Sequence, residues 1–257
     1  MSLGFRKHAI LDLARSAGKL RVEDLAAHFQ VTLQTVRRDL NDLADAGHLS
    51  RMHGGAVLKV PHGNLGYRER VALNAGAKAA IGAACAAKVP NGATLVLNIG
   101  TTTEAVARAL LQHRGLTVVT NNMNIANILA ANADCKIMLA GGALRRSDGG
   151  LVGDLTRDFI SQFKPDIAVI GTSALDLDGD LLDFDLAEVT VSRAIIEAAR
   201  AVYLVADHSK LGRRAPARIG ALSDIDAIFT DLALPDPLAR LCQDWDCAVH
   251  VAGHIGG

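Results

Sequence analysis

Apolar residues recur at helical spacing through the first 57 positions. Ile10, Leu13, Ala14 and Ala17 share one face, Val22, Leu25, Ala26 and Phe29 a second, and Val36, Leu40 and Leu43 a third. Thr32 stands where the N-cap of the third helix belongs, and only Gln30 and Val31 separate it from the second. Two helices joined that tightly predict a helix-turn-helix. Leu49 to Val57 then reads as a small hairpin, with Gly54 and Gly55 supplying the positive φ of its turn. Lys59-Val-Pro-His-Gly-Asn64 breaks the periodicity as a linker does.

The pattern then changes. Tyr67 to Lys88 is expected to form a single helix that stops before Pro90-Asn91-Gly92. Beyond it, near-continuous apolar runs at 94–99, 116–120, 136–140, 166–171, 201–206, 227–230 and 247–251 alternate with helical stretches. Those stretches lie at 104–113, 124–131, 154–163, 188–199 and 237–243. Strand and helix in this rhythm predict a parallel sheet with both faces covered. The expected fold is therefore α/β in class. A winged helix-turn-helix occupies 1–58, and a linker with the start of a connecting helix occupies 59–75. A larger parallel α/β domain occupies 76–257.

The third helix carries the chemistry of the first domain. With Val36, Leu40 and Leu43 at the centre of its buried face, Gln34, Arg38 and Asn41 lie opposite, and Thr35 and Arg37 flank them. Gln pairs with adenine, and Arg bridges guanine O6 and N7 or holds phosphate, so this face suits a major groove. The competing reading is a solvated polar face balanced by Asp39 and Asp42. The hairpin that follows weighs against it, because a wing can lay Arg51 and His53 along the DNA backbone or into the minor groove. The expected DNA-facing set is Thr32, Gln34, Thr35, Arg37, Arg38, Asn41, Arg51 and His53.

Composition narrows the classes. The chain has 257 residues, 50% of them hydrophobic, with 27 Lys and Arg against 27 Asp and Glu. That composition excludes wholesale disorder, and no apolar run is long enough for a spanning helix. The neutral total hides an asymmetry: the first 60 residues carry a small excess of Lys and Arg, and the remainder an equal excess of acid. A basic end suits one nucleic-acid-facing module. With no leader-like start, a cytoplasmic location is expected. Cys85, Cys135, Cys242 and Cys247 form no CxxC and are expected to be reduced. Cys247 and His250, three apart in a strand, point to opposite faces, so no metal is expected, and no cofactor either.

In the second domain, Leu95 to Ile99 runs straight into Gly100-Thr-Thr-Thr-Glu104 and a helix. Backbone amides at that helix start, with the hydroxyls of Thr101, Thr102 and Thr103, can cradle a phosphate. The loop is neither a dinucleotide fingerprint nor a P-loop, which favours a small phosphate monoester. A plain threonine cap is the alternative. Asn121 and Asn122, Gly141 and Gly142 with Arg145, and Asp207 to Lys210 also follow strands, whose C-terminal ends converge on one crevice in such folds. Lys210 can neutralise a phosphate, while Asn121, Asn122, Asp176, Glu188 and Asp207 can bond sugar or polyol hydroxyls. Asp148-Gly149-Gly150 reads as a plain turn beside them, with a turn that closes over the site as the alternative.

Thr32-Leu-Gln-Thr-Val-Arg-Arg-Asp-Leu40, Gly47-His-Leu-Ser-Arg51 and His53-Gly-Gly-Ala56 resemble the signature of the DeoR family of bacterial transcriptional repressors. Leu20-Arg21 departs from the usual Val-Ser or Val-Thr that opens the second helix, and Arg cannot accept the capping bond. Ile99 to Glu104, Thr120 to Asn127, Asp158 to Phe163, Arg193 to Glu197 and Asp207 to Lys210 resemble the family's sensor domain. That domain is similar to the ribose-5-phosphate isomerase and coenzyme A transferase fold. The resemblance is greatest to the branch that answers to glycerol 3-phosphate. It implies operator double-stranded DNA as partner, glycerol 3-phosphate as inducer and no catalysis; Asp244 to Gly257 is unmatched. A homodimer or homotetramer without membrane attachment is expected, since one winged helix reads only a short half-site.

Other readings fit the same residues. The inducer can be another sugar phosphate, since all offer the same dianion. A sugar-phosphate isomerase with an appended DNA-binding head would need Glu188, Asp185 or Asp207 as its general base. A winged helix used for protein contact would be insensitive to salt, unlike one that binds DNA.

Overall fold

The structure is a computed structural model that describes residues 6–7, 9–11, 13–14, 19–45, 49–52, 54–58 and 66–253. The chain divides into two units, 1–65 and 66–257. Residues 66–75, read from sequence with the linker and connecting helix, fall in the second.

In the first unit the helical residues 6–7, 9–11 and 13–14 make up α1. They are followed by β1 (Lys19–Arg21), α2 (Val22–Phe29), α3 (Leu33–Asp45), β2 (Leu49–Met52) and β3 (Gly55–Leu58). The expected stripes meet: Ile10 and Ala14, Val22, Leu25 and Ala26, and Val36, Leu40 and Leu43 share one core with Leu20, Leu49 and Ala56. Arg21 caps α2 in extended conformation without a side-chain bond, and Glu23 and Asp24 in the first turn complement the helix dipole instead. Gln30 turns the chain through a left-handed conformation (φ 54°) into α3. Thr32 caps α3, its Oγ1 accepting the Thr35 amide at 3.2 Å.

The strands order β1-β3-β2, all antiparallel. Only Gly54 has the positive φ expected of both glycines (75°). Gly55 answers a different demand, because a Cβ there would stand 2.0 Å from the Leu20 carbonyl oxygen where β3 meets β1. His53 lies outside the described residues.

In the second unit the expected single helix is two, α4 (Tyr67–Ala72) and α5 (Ala75–Ala86). The break is at Leu73 and Asn74, and Asn74 takes the left-handed conformation (φ 53°), which Asn tolerates better than most residues. Lys78 explains why helical spacing did not prevail: its buried ammonium donates to the Arg70 carbonyl and, at 2.7 Å, to that of Leu73. The last turn of α4 is thus satisfied by a side chain rather than by continued helix.

Next come β4 (Thr94–Leu97), α6 (Thr101–Ala109), β5 (Leu116–Thr120), α7 (Met123–Leu129), β6 (Cys135–Leu139), β7 (Ala143–Arg145), β8 (Gly150–Val152) and α8 (Asp154–Ile160). The chain continues through β9 (Ile167–Ile170), β10 (Ala174–Leu175), β11 (Asp180–Asp183), α9 (Leu186–Ala198) and β12 (Val202–Val205). It ends with β13 (Ala217–Ala221), β14 (Ala227–Thr230), α10 (Asp236–Asp244) and β15 (Ala248–Val251). Seven strands form one parallel sheet in the order β15-β14-β12-β9-β4-β5-β6.

Alternation along each strand divides the core in two. Leu95, Leu97, Val118, Val169 and Phe229 pack on one face with Ile81, Val106, Leu110 and Ile125. Val96, Ala168, Ile170, Leu204 and Ile228 pack on the other with Ile160, Val189, Ile195 and Leu238. The chain winds outward in one direction from β4 and in the other from β9, so their adjacent C-terminal ends form a topological switch point. Outside the sheet lie the hairpin β7-β8 and a three-stranded antiparallel sheet, β10-β11-β13. Among the described residues no helix is long and apolar enough to cross a membrane.

Candidate functional site

On α3, Gln34, Arg37, Arg38 and Asn41 are exposed, while Val36, Leu40 and Leu43 are buried. The two acids weighed against this face do not neutralise it evenly. Asp39 is buried and paired with Arg6 of α1 at 2.5 Å, and Asp42 pairs with Lys7 at 2.8 Å. Both acids are therefore turned toward α1, although Asp42 still feels the charge of Arg38. Thr32 and Thr35 are occupied with each other, hydroxyl to hydroxyl at 2.9 Å, in the cap of α3. Arg51 lies on β2.

At the switch point of the second unit, Gly100 leads into α6. Thr101 is half-buried, Thr102 and Thr103 are buried, and Thr103 turns inward to donate its hydroxyl to the Gly100 carbonyl at 2.7 Å. That bond is to a carbonyl, and no threonine side chain caps an amide at the start of α6. After β5, Asn122 caps α7, accepting the Asn124 amide at 2.8 Å. Asn121 donates to the Leu151 carbonyl at 3.1 Å, while its fully buried Oδ1 has no partner.

After β12, Asp207 is fully buried, accepts from the Ser209 amide (3.0 Å) and Asn74 Nδ2 (2.9 Å) on Oδ1, and leaves Oδ2 without a partner. Ser209 Oγ and Thr230 Oγ1 are likewise buried and unpartnered. Lys210, Lys78 and Arg213 lie close enough to Asp207 to act on its charge, and Arg70 lies close enough to act on theirs. Burial works against the Asp207 carboxylate, but the Ser209 bond and the charge of Lys210 outweigh it and hold the group below the usual range. Burial pushes the Lys210 ammonium down to about 8 against the pull of Asp207, and it also lowers Lys78.

The β7-β8 turn forms another side. Asp148 is buried and bound by Arg145 and, at 3.0 Å, by Arg70 Nη2. Arg145 also reaches Asp185 at 2.8 Å and Glu188 at 2.7 Å. Burial, then the charge of Asp183, pushes the Glu188 carboxyl up to about 7 in spite of Arg145. Glu104, buried in the first turn of α6, accepts from Tyr67 Oη at 2.9 Å and Asn124 Nδ2 at 3.0 Å. Burial, with the Glu104 charge next, raises the Tyr67 phenol to about 12. A cleft of about 380 Å³ adjoins this end, lined by Val71, Lys78, Thr101, Glu104 and Arg108 among others.

The structure sorts the expected residues. Gly100 to Thr103, Asn121 and Asn122, Asp207 and Lys210 all follow the C-terminal ends of sheet strands, and Glu188 is held by Arg145 with Asp148 and Asp185. Gly142 serves packing, since a Cβ there would meet Thr156 Oγ1 at 2.1 Å, whereas one on Gly141 would meet nothing and its carbonyl accepts from Thr156 at 2.7 Å. Asp176 follows β10 of the small antiparallel sheet rather than a strand of the parallel one. It sits in the β10-β11 turn, its Oδ1 accepting the amides of Asp178 and Asp180 at 3.1 and 3.0 Å. An Asp two residues before a second turn residue and just ahead of Gly179 was the available signal for that role. Tyr67, Arg70, Asn74, Lys78, Glu104 and Asp148 also interact at this end of the sheet, which the sequence does not announce, because a helical or turn pattern does not say which polar side chain faces inward.

Two family models cover most of the chain. The DeoR-like helix-turn-helix domain matches residues 6–61, and the DeoR C terminal sensor domain matches residues 73–232. The chain is 46% identical over 239 residues to the glycerol-3-phosphate regulon repressor of Escherichia coli (strain K12), covering 93% of this chain and 95% of that one. It is 47% identical over 230 residues to the protein of that name from Haemophilus influenzae, covering 90% of each. Ribose 5-phosphate isomerase A from Neisseria gonorrhoeae aligns over 53% of each chain with TM-score 0.39 and 14% identity, a likeness too slight to bear on function.

Proposed function

The chain belongs to the DeoR family and is a DNA-binding transcriptional repressor; on that footing we propose that glycerol 3-phosphate releases it from its operator. The observation that carries this reading is the environment of Asp207. Three cations, Lys210, Lys78 and Arg213, act on one carboxylate, and buried acceptors without partners, Asp207 Oδ2 and Asn121 Oδ1, stand at the same end of the sheet. A ligand with a dianionic phosphate at one end and hydroxyl groups at the other answers both needs. Lys210 and the amides opening α6 at Gly100 to Thr103 take the phosphate. Asp207, Asn121, Asn122 and Glu188 face the hydroxyl groups.

In the first unit, Gln34, Arg38 and Asn41 read base edges, with Arg37 and Arg51 on phosphates. The protein acts as a dimer or a higher even oligomer, because two winged helices on a palindromic operator are needed for useful affinity. Sedimentation on operator DNA that gave monomers alone would contradict this. The isomerase alternative is less well served by two of its candidate bases, Glu188, held by Arg145, and Asp185, held by Arg145 and the α9 cap, whereas Asp207 keeps Oδ2 without a partner and turnover decides about it.

The test is a thermal-shift panel of phosphorylated polyols and sugars, followed by operator release. A ligand at 100 times its Kd adds about 2.7 kcal/mol to the unit that binds it. Stabilisation and release by glycerol 3-phosphate are expected. A different sugar phosphate acting alone would reassign the effector, and turnover of any of them would favour the enzyme.

A further inference from the structure

Helix α4 is held to the sensor in an unusual way. None of its six residues is fully buried, and Val71 is 38% exposed, so apolar packing contributes little to its position. Instead, three side chains on or just after it, at positions 67, 70 and 74, each reach a buried acid on a different element. Tyr67 bonds Glu104 of α6, Arg70 bonds Asp148 of the β7-β8 turn, and Asn74 bonds Asp207 after β12. These three acids stand around the crevice. Beside two of the contacts lie buried polar atoms without partners, Arg70 Nε and Asp207 Oδ2. Asn74 is also the left-handed joint between α4 and α5, and Lys78, among the cations near Asp207, holds the last carbonyls of α4. In sequence, Tyr67 follows Leu58, the last residue of β3, by nine positions.

We propose that α4 is a wall of the effector site and the element that the effector moves: Arg70 and Asn74 bind the ligand, exchanging Asp148 and Asp207 for its phosphate and hydroxyl groups. The proposal rests on the effector reading above. An effector shifts α4 only by binding one of its positions more tightly than the other, and a helix held by polar contacts to the binding site meets that condition. By linkage, whatever loosens α4 without effector must alter operator affinity and effector response together. Residues of α4 thereby become part of specificity as well as of transmission.

The test uses the full-length chain with two variants. Asn74→Gly keeps the left-handed joint but deletes the amide on Asp207, and Tyr67→Phe deletes the hydroxyl on Glu104 with little change of shape. Three quantities are read: operator affinity without effector, glycerol 3-phosphate binding to DNA-free protein by calorimetry, and the effector concentration for half-release. Each variant is expected to change effector-free operator affinity by roughly threefold to tenfold, as befits one bond to a charged group only partly lost. The ratio of half-release concentration to binding constant should shift as well. Unchanged operator affinity with an unchanged ratio, in variants whose circular dichroism matches the wild type, would overturn the proposal. If the wild type fails to bind glycerol 3-phosphate, the effector reading falls, and the effector-free affinities still decide about α4. Should Asn74→Gly fold poorly, Tyr67→Phe alone decides by the same two readings.

Discussion

Arg145 grips Asp148 with two prongs, Nε to Oδ1 at 2.9 Å and Nη2 to Oδ2 at 2.7 Å, across the turn that joins β7 to β8. Its remaining nitrogen, Nη1, serves Asp185 and Glu188. One guanidinium therefore orders three carboxylates beside the crevice, which a lysine's single point of charge cannot do.

Arg145→Lys should destabilise the sensor unit by about 1–3 kcal/mol, and by more at pH 8 than at pH 6. Glu188 sits at about 7, above its ordinary 4.5, so the folded state gains stability from the protonated group at low pH and loses it as pH rises through 7. Weakening its cation raises that group further and enlarges the loss at high pH. Asp148 and Asp185 lie below the usual range and stay charged at both pH values. Thermal melts of the variant at pH 6 and pH 8 should show the gap widening with pH; an equal deficit at both would be inconsistent with this account.

Arg38→Ala should weaken operator binding by about 1–3 kcal/mol and relax preference at one base pair. Arg37→Ala should weaken all sequences alike and reduce the salt slope by about one unit. Titrations against operator and scrambled DNA at several salt concentrations separate the two. Full affinity and preference in Arg38→Ala would mean that α3 is oriented differently on DNA.

Lys210→Ala should lose a charge-assisted contact to the effector phosphate, costing about 1.5–3 kcal/mol, or roughly 10- to 150-fold in affinity. Thr102→Val should cost less, because backbone amides remain at the start of α6. Neither touches α3, so repression without effector should persist and induction should fail. An unshifted release midpoint in Lys210→Ala would remove Lys210 from the phosphate site.

Effector affinity should fall above pH 8. The Lys210 ammonium, lowered to about 8, must be charged to hold the anion, while the phosphate stays dianionic throughout. The dissociation constant should rise by up to about tenfold per pH unit beyond 8, as expected for uptake of one proton on binding. Lys210→Arg, always charged, should flatten the profile between pH 7 and 9 in calorimetry. A flat wild-type profile would count against the role of Lys210.

Much of this molecule was readable from local pattern. The three helical stripes of the first unit follow from a period of 3.6 and the seven parallel strands from short near-continuous apolar runs, and burial of apolar faces enforces both. Thr32 as a cap and Gln34, Arg38 and Asn41 opposite Val36 and Leu40 follow from helix geometry alone. The strands β10, β11 and β13 were not seen, because two to five residues within mixed sequence carry no clear period. Nor was the break in 67–88, which depends on where the Lys78 ammonium finds carbonyls to hold. The site shows the same divide. Gly100 to Thr103 announce themselves as a strand-to-helix turn, but Asp176 looks no different from Asp207 until the fold puts one in a surface turn and the other beneath Asn74. Arg70 meets Asp148 across 78 positions and Asn74 meets Asp207 across 133, and pairings at that range are set by how the sheet winds around its switch point. Periodicity reports which side of an element is buried; which distant polar group waits there is decided only when the layers close.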